Sequence, residues 1–154
     1  MTLYFATLAS PVGQLLLTSD GERLTGLQLD VVPSDDLIPD AKPLRSAIQQ
    51  LQAYFAGELR KFDLPLNAAG TAFQRTVWKQ LCKVPYGKTA SYRDIAAKIA
   101  NPLAVRAVGS ANGRNPIAIV VPCHRIIAAD GTLGGYSGGL WRKEWLLNHE
   151  GVDL

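Results

Sequence analysis

A continuous apolar run, Ile117-Ala118-Ile119-Val120-Val121, passes without a break into Pro122-Cys123-His124-Arg125, and the apolar pattern resumes at Ile126-Ile127. Unbroken and largely β-branched, the run reads as a buried strand. Burying it carries Cys123 inward with His124 and Arg125 beside it. Any fold available to the chain must accommodate a thiol flanked by an imidazole and a guanidinium within an otherwise apolar segment.

An ordinary thiol, with a pKa of about 8.5, is only a few per cent ionised at neutral pH, and lowering it by about two units makes the thiolate the main form. Cationic neighbours lower it in this way, so Cys123 is the candidate nucleophile. The alternative is an inert core cysteine beside a satisfied histidine. Successive residues of an extended segment point to opposite faces, so a direct Cys123–His124 dyad requires a local bend, which Pro122 can help supply. A water relay between the two serves equally well. His124 then needs a carboxylate to orient it. Asp94, Asp130, Glu144, Glu150 and Asp153 are available after residue 70, and Glu150 is the choice taken forward.

The charges divide unevenly. Residues 1–70 hold five basic and eight acidic side chains, whereas residues 71–154 hold eleven basic and five acidic, within a chain of net charge +3. This asymmetry points to a C-terminal part that meets a polyanion and an N-terminal part that does not. A hydrophobic fraction of 47% supports a real core. No apolar run approaches the roughly 20 residues that span a bilayer, and the N-terminus does not resemble a secretory signal, so a cytoplasmic protein without membrane contact is expected. Two cysteines and two histidines leave a zinc site only at the expense of Cys123, so neither metal nor cofactor is expected.

The expected fold is mixed α/β, of α+β type, with an N-terminal domain at 1–66 and a C-terminal domain at 67–154. Residues Leu3 to Leu8, Gln14 to Thr18 and Arg23 to Leu29 are predicted as a three-stranded antiparallel sheet, followed by a Pro-containing loop from Val32 to Lys42. Leu44, Ile48, Leu51 and Phe55 mark a helix ending near Gly57. Beyond Thr71, which can cap a helix carrying Phe73, Val77 and Leu81, Ser91 caps a second helix. Asn101-Pro102 reads as the start of a third helix, which stops in left-handed fashion at Asn112-Gly113. The last two form a helix-turn-helix candidate. Cys82 is expected to be a buried helix cysteine. In the third helix Ala104, Ala107 and Ala111, with Ser110 beside them, suit close approach to a partner, and equally suit tight packing against a neighbouring helix. The stretch Ala128 to Gly139 holds five glycines with Tyr136 and Ser137, fitting a flexible pocket wall. A closing helix from Trp141 to Asn148 is predicted to bury Trp145, Leu146 and Leu147.

Gly70-Thr71-Ala72-Phe73-Gln74, Pro85-Tyr86-Gly87-Lys88-Thr89, Arg106-Ala107-Val108-Gly109, Asn115-Pro116, Pro122-Cys123-His124-Arg125 and Gly135-Tyr136-Ser137-Gly138-Gly139 occur in that order. Together they closely resemble the O6-alkylguanine-DNA alkyltransferases over residues 70 to 151. The first 70 residues resemble that family's ribonuclease H-like domain more loosely.

The resemblance implies DNA repair in which Cys123 takes the alkyl group from O6-alkylguanine in one irreversible step, with O4-alkylthymine as a further lesion. It implies that His124 works through a water with Glu150 behind it, that Asn115 holds the active-site turn, and that Tyr92 presses on the target phosphate and assists protonation of the base. Arg106 matches the finger that replaces a flipped nucleotide, and Thr89, Ser91, Ala107, Ser110 and Ala111 match DNA-facing positions in a minor-groove helix-turn-helix. Tyr136, Ser137, Lys143, Val121 and Pro122 match the base pocket. The implied partner is double-stranded DNA bound by a monomer. Two competing classes are a non-catalytic helix-turn-helix module and a thiol hydrolase that turns over.

Overall fold

The computed structural model describes residues 1–154 and divides into two compact units. One comprises Met1–Ala69 with Pro116–Ala118, the other Gly70–Asn115 with Ile119–Leu154.

The first unit is built on β1 (Tyr4–Ser10), β2 (Gly13–Ser19) and β3 (Leu24–Leu29), an antiparallel meander. The expected three-stranded sheet is in fact four-stranded, in the order β3-β2-β1-β4. The extra strand, β4 (Ile38–Pro39), lies parallel to β1 inside the stretch expected to be loop. Ile38 N donates to Leu3 O at 3.0 Å and Asp40 N to Phe5 O at 3.1 Å. Pro39 between them needs no ladder donor, and an edge position tolerates it. Leu15, Leu16 and Leu17 of β2 are all buried, as a central strand requires.

A 3₁₀ turn at Lys42–Leu44 leads into α1 (Arg45–Phe55). Its buried stripe is Leu44, Ala47, Leu51 and Tyr54, which leaves Ile48 and Phe55 half-buried at the margins. Pro116–Ala118 completes this unit beside β3: Leu27 N donates to Pro116 O at 2.9 Å and Ala118 N to Leu27 O at 3.1 Å.

The run that begins there is not the strand expected from its composition. Ile117 makes a single parallel bridge to Leu27, after which residues 118–120 turn and Ile119 takes φ +71°. Burial was legible in these residues, but extension was not, because a buried turn and a buried strand require the same side chains. The sheet partner is replaced by an amide: Asn115 Nδ2 donates to Val121 O at 2.8 Å. A β-branched residue at positive φ is disfavoured, so the surrounding structure must hold this turn.

The second unit carries four helices and one short parallel pair, β5 (Ala90–Ser91) with β6 (Ile126–Ile127). Thr71 caps α2 (Ala72–Leu81) and Ser91 caps α3 (Tyr92–Lys98), each through a full capping box. Gln74 and Asp94 supply the reciprocal acceptors at 2.9 and 2.8 Å. Asn101, expected to open the next helix, instead closes α3. Ala100 adopts φ +58°, and Asn101 N donates to Ala96 O at 3.0 Å, the Schellman pattern of a helix end.

The helix α4 therefore begins later, at Val105–Gly113, with Ala104 as its N-cap. Gly113 is its last helical residue, has no positive φ, and is not a left-handed stop. Cys82 is the C-cap of α2 and is exposed, contrary to the buried position expected for it. The closing helix α5 (Leu140–His149) buries Lys143, Leu146 and Leu147. Trp145 is only half-buried, stacked on His149 at 4.8 Å. No helix is long and apolar enough to cross a membrane.

Candidate active site

Pro122 ends the buried turn with φ −81° and ψ 63°, and Cys123–Arg125 follow as one turn of 3₁₀ helix. This supplies the bend that an adjacent Cys and His need. Cys123 N donates to Val121 O at 2.8 Å and Arg125 N to Pro122 O at 3.0 Å. Two asparagines brace the turn from outside it: Asn115 holds Val121 O, and Asn112 Nδ2 donates to Cys123 O at 3.4 Å.

Behind the thiol lies a chain of ionisable groups. His124 Nε2 lies 2.7 Å from Glu150 Oε2, and both side chains are fully buried. A carboxylate only accepts, so Nε2 carries the proton and Nδ1 is left as the basic nitrogen. Nδ1 meets no partner in the protein. Arg125 then grips the same carboxylate twice, Nε to Oε1 at 2.8 Å and Nη2 to Oε2 at 3.1 Å, and donates from Nη1 to Val84 O at 2.7 Å. Burial draws the His124 imidazole below its usual 6.5 while the Glu150 hydrogen bond opposes it. The ring is therefore neutral at pH 7, as a general base must be.

Cys123 is 5% exposed, and burial pushes its thiol up rather than down, contrary to the thiolate expected from cationic neighbours. The Asn115 side chain and the Lys143 charge offset part of that rise. Arg125 spends its charge on Glu150 rather than on the sulfur. A buried thiol with a neutral base behind it is a protonated nucleophile that must lose its proton during attack.

Cys123 lines a cavity of about 440 Å³ whose other walls come from Tyr92, from Val105, Gly109, Asn112 and Gly113 of α4, and from Gly135, Tyr136 and Ser137 of the glycine-rich loop. Lys143, expected beside the pocket, is fully buried. Its ammonium donates to Ile126 O at 2.6 Å, to Gly135 O at 3.2 Å and to Leu133 O, tying the loop to β6. Burial pulls that ammonium down to about 8. Tyr92 also reaches the loop. Gly134 sits at φ +72°, and a Cβ there would stand 2.9 Å from the Tyr92 hydroxyl. Burial raises both tyrosines, Tyr136 strongly.

The remaining expected positions divide. Arg106, Ala107 and Ser110 of α4 and Thr89 before β5 are exposed, and Ser91 is half-buried as the cap of α3. Ala111 faces inward, 2% exposed, and its carbonyl accepts from Trp78 Nε1 at 2.8 Å. Val121 and Pro122 are buried in the turn. Asn112 and the second grip of Arg125 were not anticipated. Asn112 had a signal, a polar residue on the same inward face as Val108 and Ala111. Arg125 had none beyond its adjacency to His124.

Residues 72–152 match the family described as 6-O-methylguanine DNA methyltransferase, DNA binding domain, and residues 3–68 match its ribonuclease-like domain. A methylated-DNA–protein-cysteine methyltransferase of Methanosarcina barkeri is 47% identical over 99% of this chain and 99% of its own. The enzyme of that name from Mycobacterium bovis is 50% identical over 96% of this chain and 92% of its own. Among solved structures, Mycobacterium tuberculosis O6-methylguanine methyltransferase superposes with a TM-score of 0.90 at 48% identity, covering 97% of this chain and 93% of that one. A Mycobacterium tuberculosis structure in complex with DNA gives 0.91 at 50% identity, over 96% of this chain and 92% of that one.

Proposed function

The chain belongs to the methylated-DNA–protein-cysteine methyltransferase family, and from that premise we propose that it repairs DNA by moving the alkyl group of O6-alkylguanine onto its own Cys123. The observation that carries the reading is the joint position of the thiol, in the wall of a cavity and one residue from a neutral His124 backed by Glu150. The Cys123 sulfur attacks the alkyl carbon and the bond from carbon to O6 breaks, its electrons returning to the purine. The thiol proton passes through a water to His124 Nδ1, and the purine takes up a proton with Tyr92 assisting. Guanine and an S-alkyl thioether result. A thioether offers no ready leaving route, so each molecule acts once.

A stacked base hides its O6 substituent from a buried sulfur, so the lesion must leave the helix, at a cost of about a few kcal/mol. Arg106, exposed on α4, fills the gap in the stack, and small residues at Ala107 and Ser110 let the helix approach the minor groove. Thr89 and Ser91 meet the backbone phosphates. Ala111 contributes through helix packing rather than direct contact. Tyr136, Ser137 and the backbone at Val121 and Pro122 enclose the base, Lys143 fixes the loop that carries the first two, and Asn115 holds the turn. The protein acts as a monomer on duplex DNA, with O4-alkylthymine as a second lesion.

Incubation with a duplex oligonucleotide containing O6-methylguanine, followed by peptide mass mapping, tests this. The expected result is one methyl per protein on the Cys123 peptide and none in Cys123→Ala. Unchanged mass would favour a binding module, and continued product release beyond one equivalent would favour a hydrolase.

A further inference from the structure

Arg75 and Lys79 lie on the solvent side of α2, and Lys83 extends their line into the turn that follows, where its N–H donates to Gln80 O at 3.0 Å. The spacing of four sets the three on one stripe, opposite the buried Val77, Trp78 and Leu81. All three are exposed and none makes an ion pair. No acidic side chain occurs anywhere in residues 64–93. Like charges four residues apart repel along a helix, and the N-terminal end of the helix dipole disfavours Arg75 as well. The fold gains nothing from such a stripe, whereas a polyanion laid along it would cancel the repulsion. Four residues of helix rise about 6 Å, the scale on which phosphates follow one another along a DNA strand. A cleft of about 410 Å³ beside Lys83 carries Lys98 of α3 in its wall, and its one carboxylate, Asp94, is engaged by the Ser91 N–H at 2.8 Å.

The stripe faces away from Arg106. The helices α2 and α4 meet through their buried sides, where Trp78 Nε1 donates to Ala111 O at 2.8 Å, so the exposed Arg106, Ala107 and Ser110 of α4 look outward on the far side of that contact. A duplex seated on α4 leaves the α2 stripe open. We propose that Arg75, Lys79 and Lys83 form a second DNA-binding surface, which takes the phosphate backbone of another duplex segment while α4 holds the first. This rests on α4 being the helix that meets the lesion-bearing duplex. Two such faces let the protein pass from one segment to the next without first becoming free, and the contact reads charge alone, as a search for rare lesions requires.

Stopped-flow anisotropy of a labelled, undamaged short duplex tests this. The protein is bound to that duplex and chased with rising concentrations of the same duplex unlabelled. The wild type is expected to release its duplex faster as the chase concentration rises, because the second segment is taken up before the first is lost. In Arg75→Gln/Lys79→Gln/Lys83→Gln that dependence should be lost, while methyl transfer from a short O6-methylguanine duplex to Cys123 keeps the wild-type rate. A wild-type release rate independent of the chase, or a dependence that the triple variant retains, overturns the second surface and leaves the alkyltransferase reading intact. Loss of methyl transfer along with the exchange would place the stripe on the one lesion-binding face, and also overturns it. Acceleration by polyglutamate but not by duplex would assign the face to an acidic protein instead. No methyl on Cys123 of the folded wild type would overturn the alkyltransferase reading itself. Should the triple variant not fold, Lys79→Gln alone is read in the same way, with a partial loss of the dependence.

Discussion

Arg125 and Glu150 form a bidentate ion pair inside the protein, at 2.8 and 3.1 Å, and the carboxylate oxygen at the longer contact is the one that His124 shares at 2.7 Å. The guanidinium therefore pairs the Glu150 carboxylate in a buried place where a lone charge would be costly. The Glu150 oxygen that His124 shares in turn fixes which imidazole nitrogen is free.

Arg125→Ala should destabilise the protein by about 3–5 kcal/mol, because it leaves a buried carboxylate without its partner. Urea or thermal unfolding measures the loss. Arg125→Lys should recover only part of it, since a single ammonium cannot satisfy both carboxylate oxygens and Val84 O. Equal stability of all three proteins would show that the pair is not structural.

The rate of alkyl transfer should hold a plateau around neutral pH and fall only below pH 6.5, because the His124 imidazole lies below that value in the folded state. The same depression makes stability depend on pH. Its contribution is complete above 6.5 and is lost as the pH falls through the lowered folded value. Glu150→Gln removes the group that raises His124, so its acid limb should move further down while the plateau drops by about a hundredfold. An acid limb that stays in place would mean that another group controls it.

Arg106→Ala should slow reaction on duplex DNA by an order of magnitude or more while leaving reaction with free O6-methylguanine base near the wild-type rate. The side chain is exposed on α4 and contributes nothing to the core, so the melting temperature should not change. Equal losses on both substrates would remove its role in base extrusion.

Gly70→Ala should cost about 1–3 kcal/mol, since the new Cβ would run into the Trp78 ring. Displacing that ring strains the hydrogen bond from Trp78 Nε1 to Ala111 O, which anchors α4. Thermal unfolding reads the stability, and the near-ultraviolet signal of tryptophan reads the displacement. An unchanged melting temperature would mean that the Gly70 backbone yields instead.

Much of the site was legible because its residues are contiguous: Cys123, His124 and Arg125 sit together in the sequence, and an apolar run on each side indicates burial. Capping residues Thr71 and Ser91 were equally plain, since their boxes close within three residues. What escaped depends on partners distant along the chain. Asn115 was expected to hold the turn at Ile119 and does so, but the residues entering it are fixed beside Leu27 of β3, far back along the chain, which no local pattern encodes. Asn101 resembled a helix start because the same residue type suits both ends of a helix, and the preceding Ala100 gave no sign of its positive φ. Cationic neighbours also promised an acidic thiol. Burial outweighed them once Arg125 had committed its charge to Glu150.

The chain contributes to the β1–β4 unit twice, first as Met1–Ala69 and again as Pro116–Ala118. Severing it near residue 70 would therefore not yield two free-standing modules. The N-terminal piece would lose the residues that satisfy the Leu27 N–H and C=O, and the C-terminal piece would retain Ile117 with nothing to cover it. Grafting, circular permutation and reporter insertion must keep that short return intact.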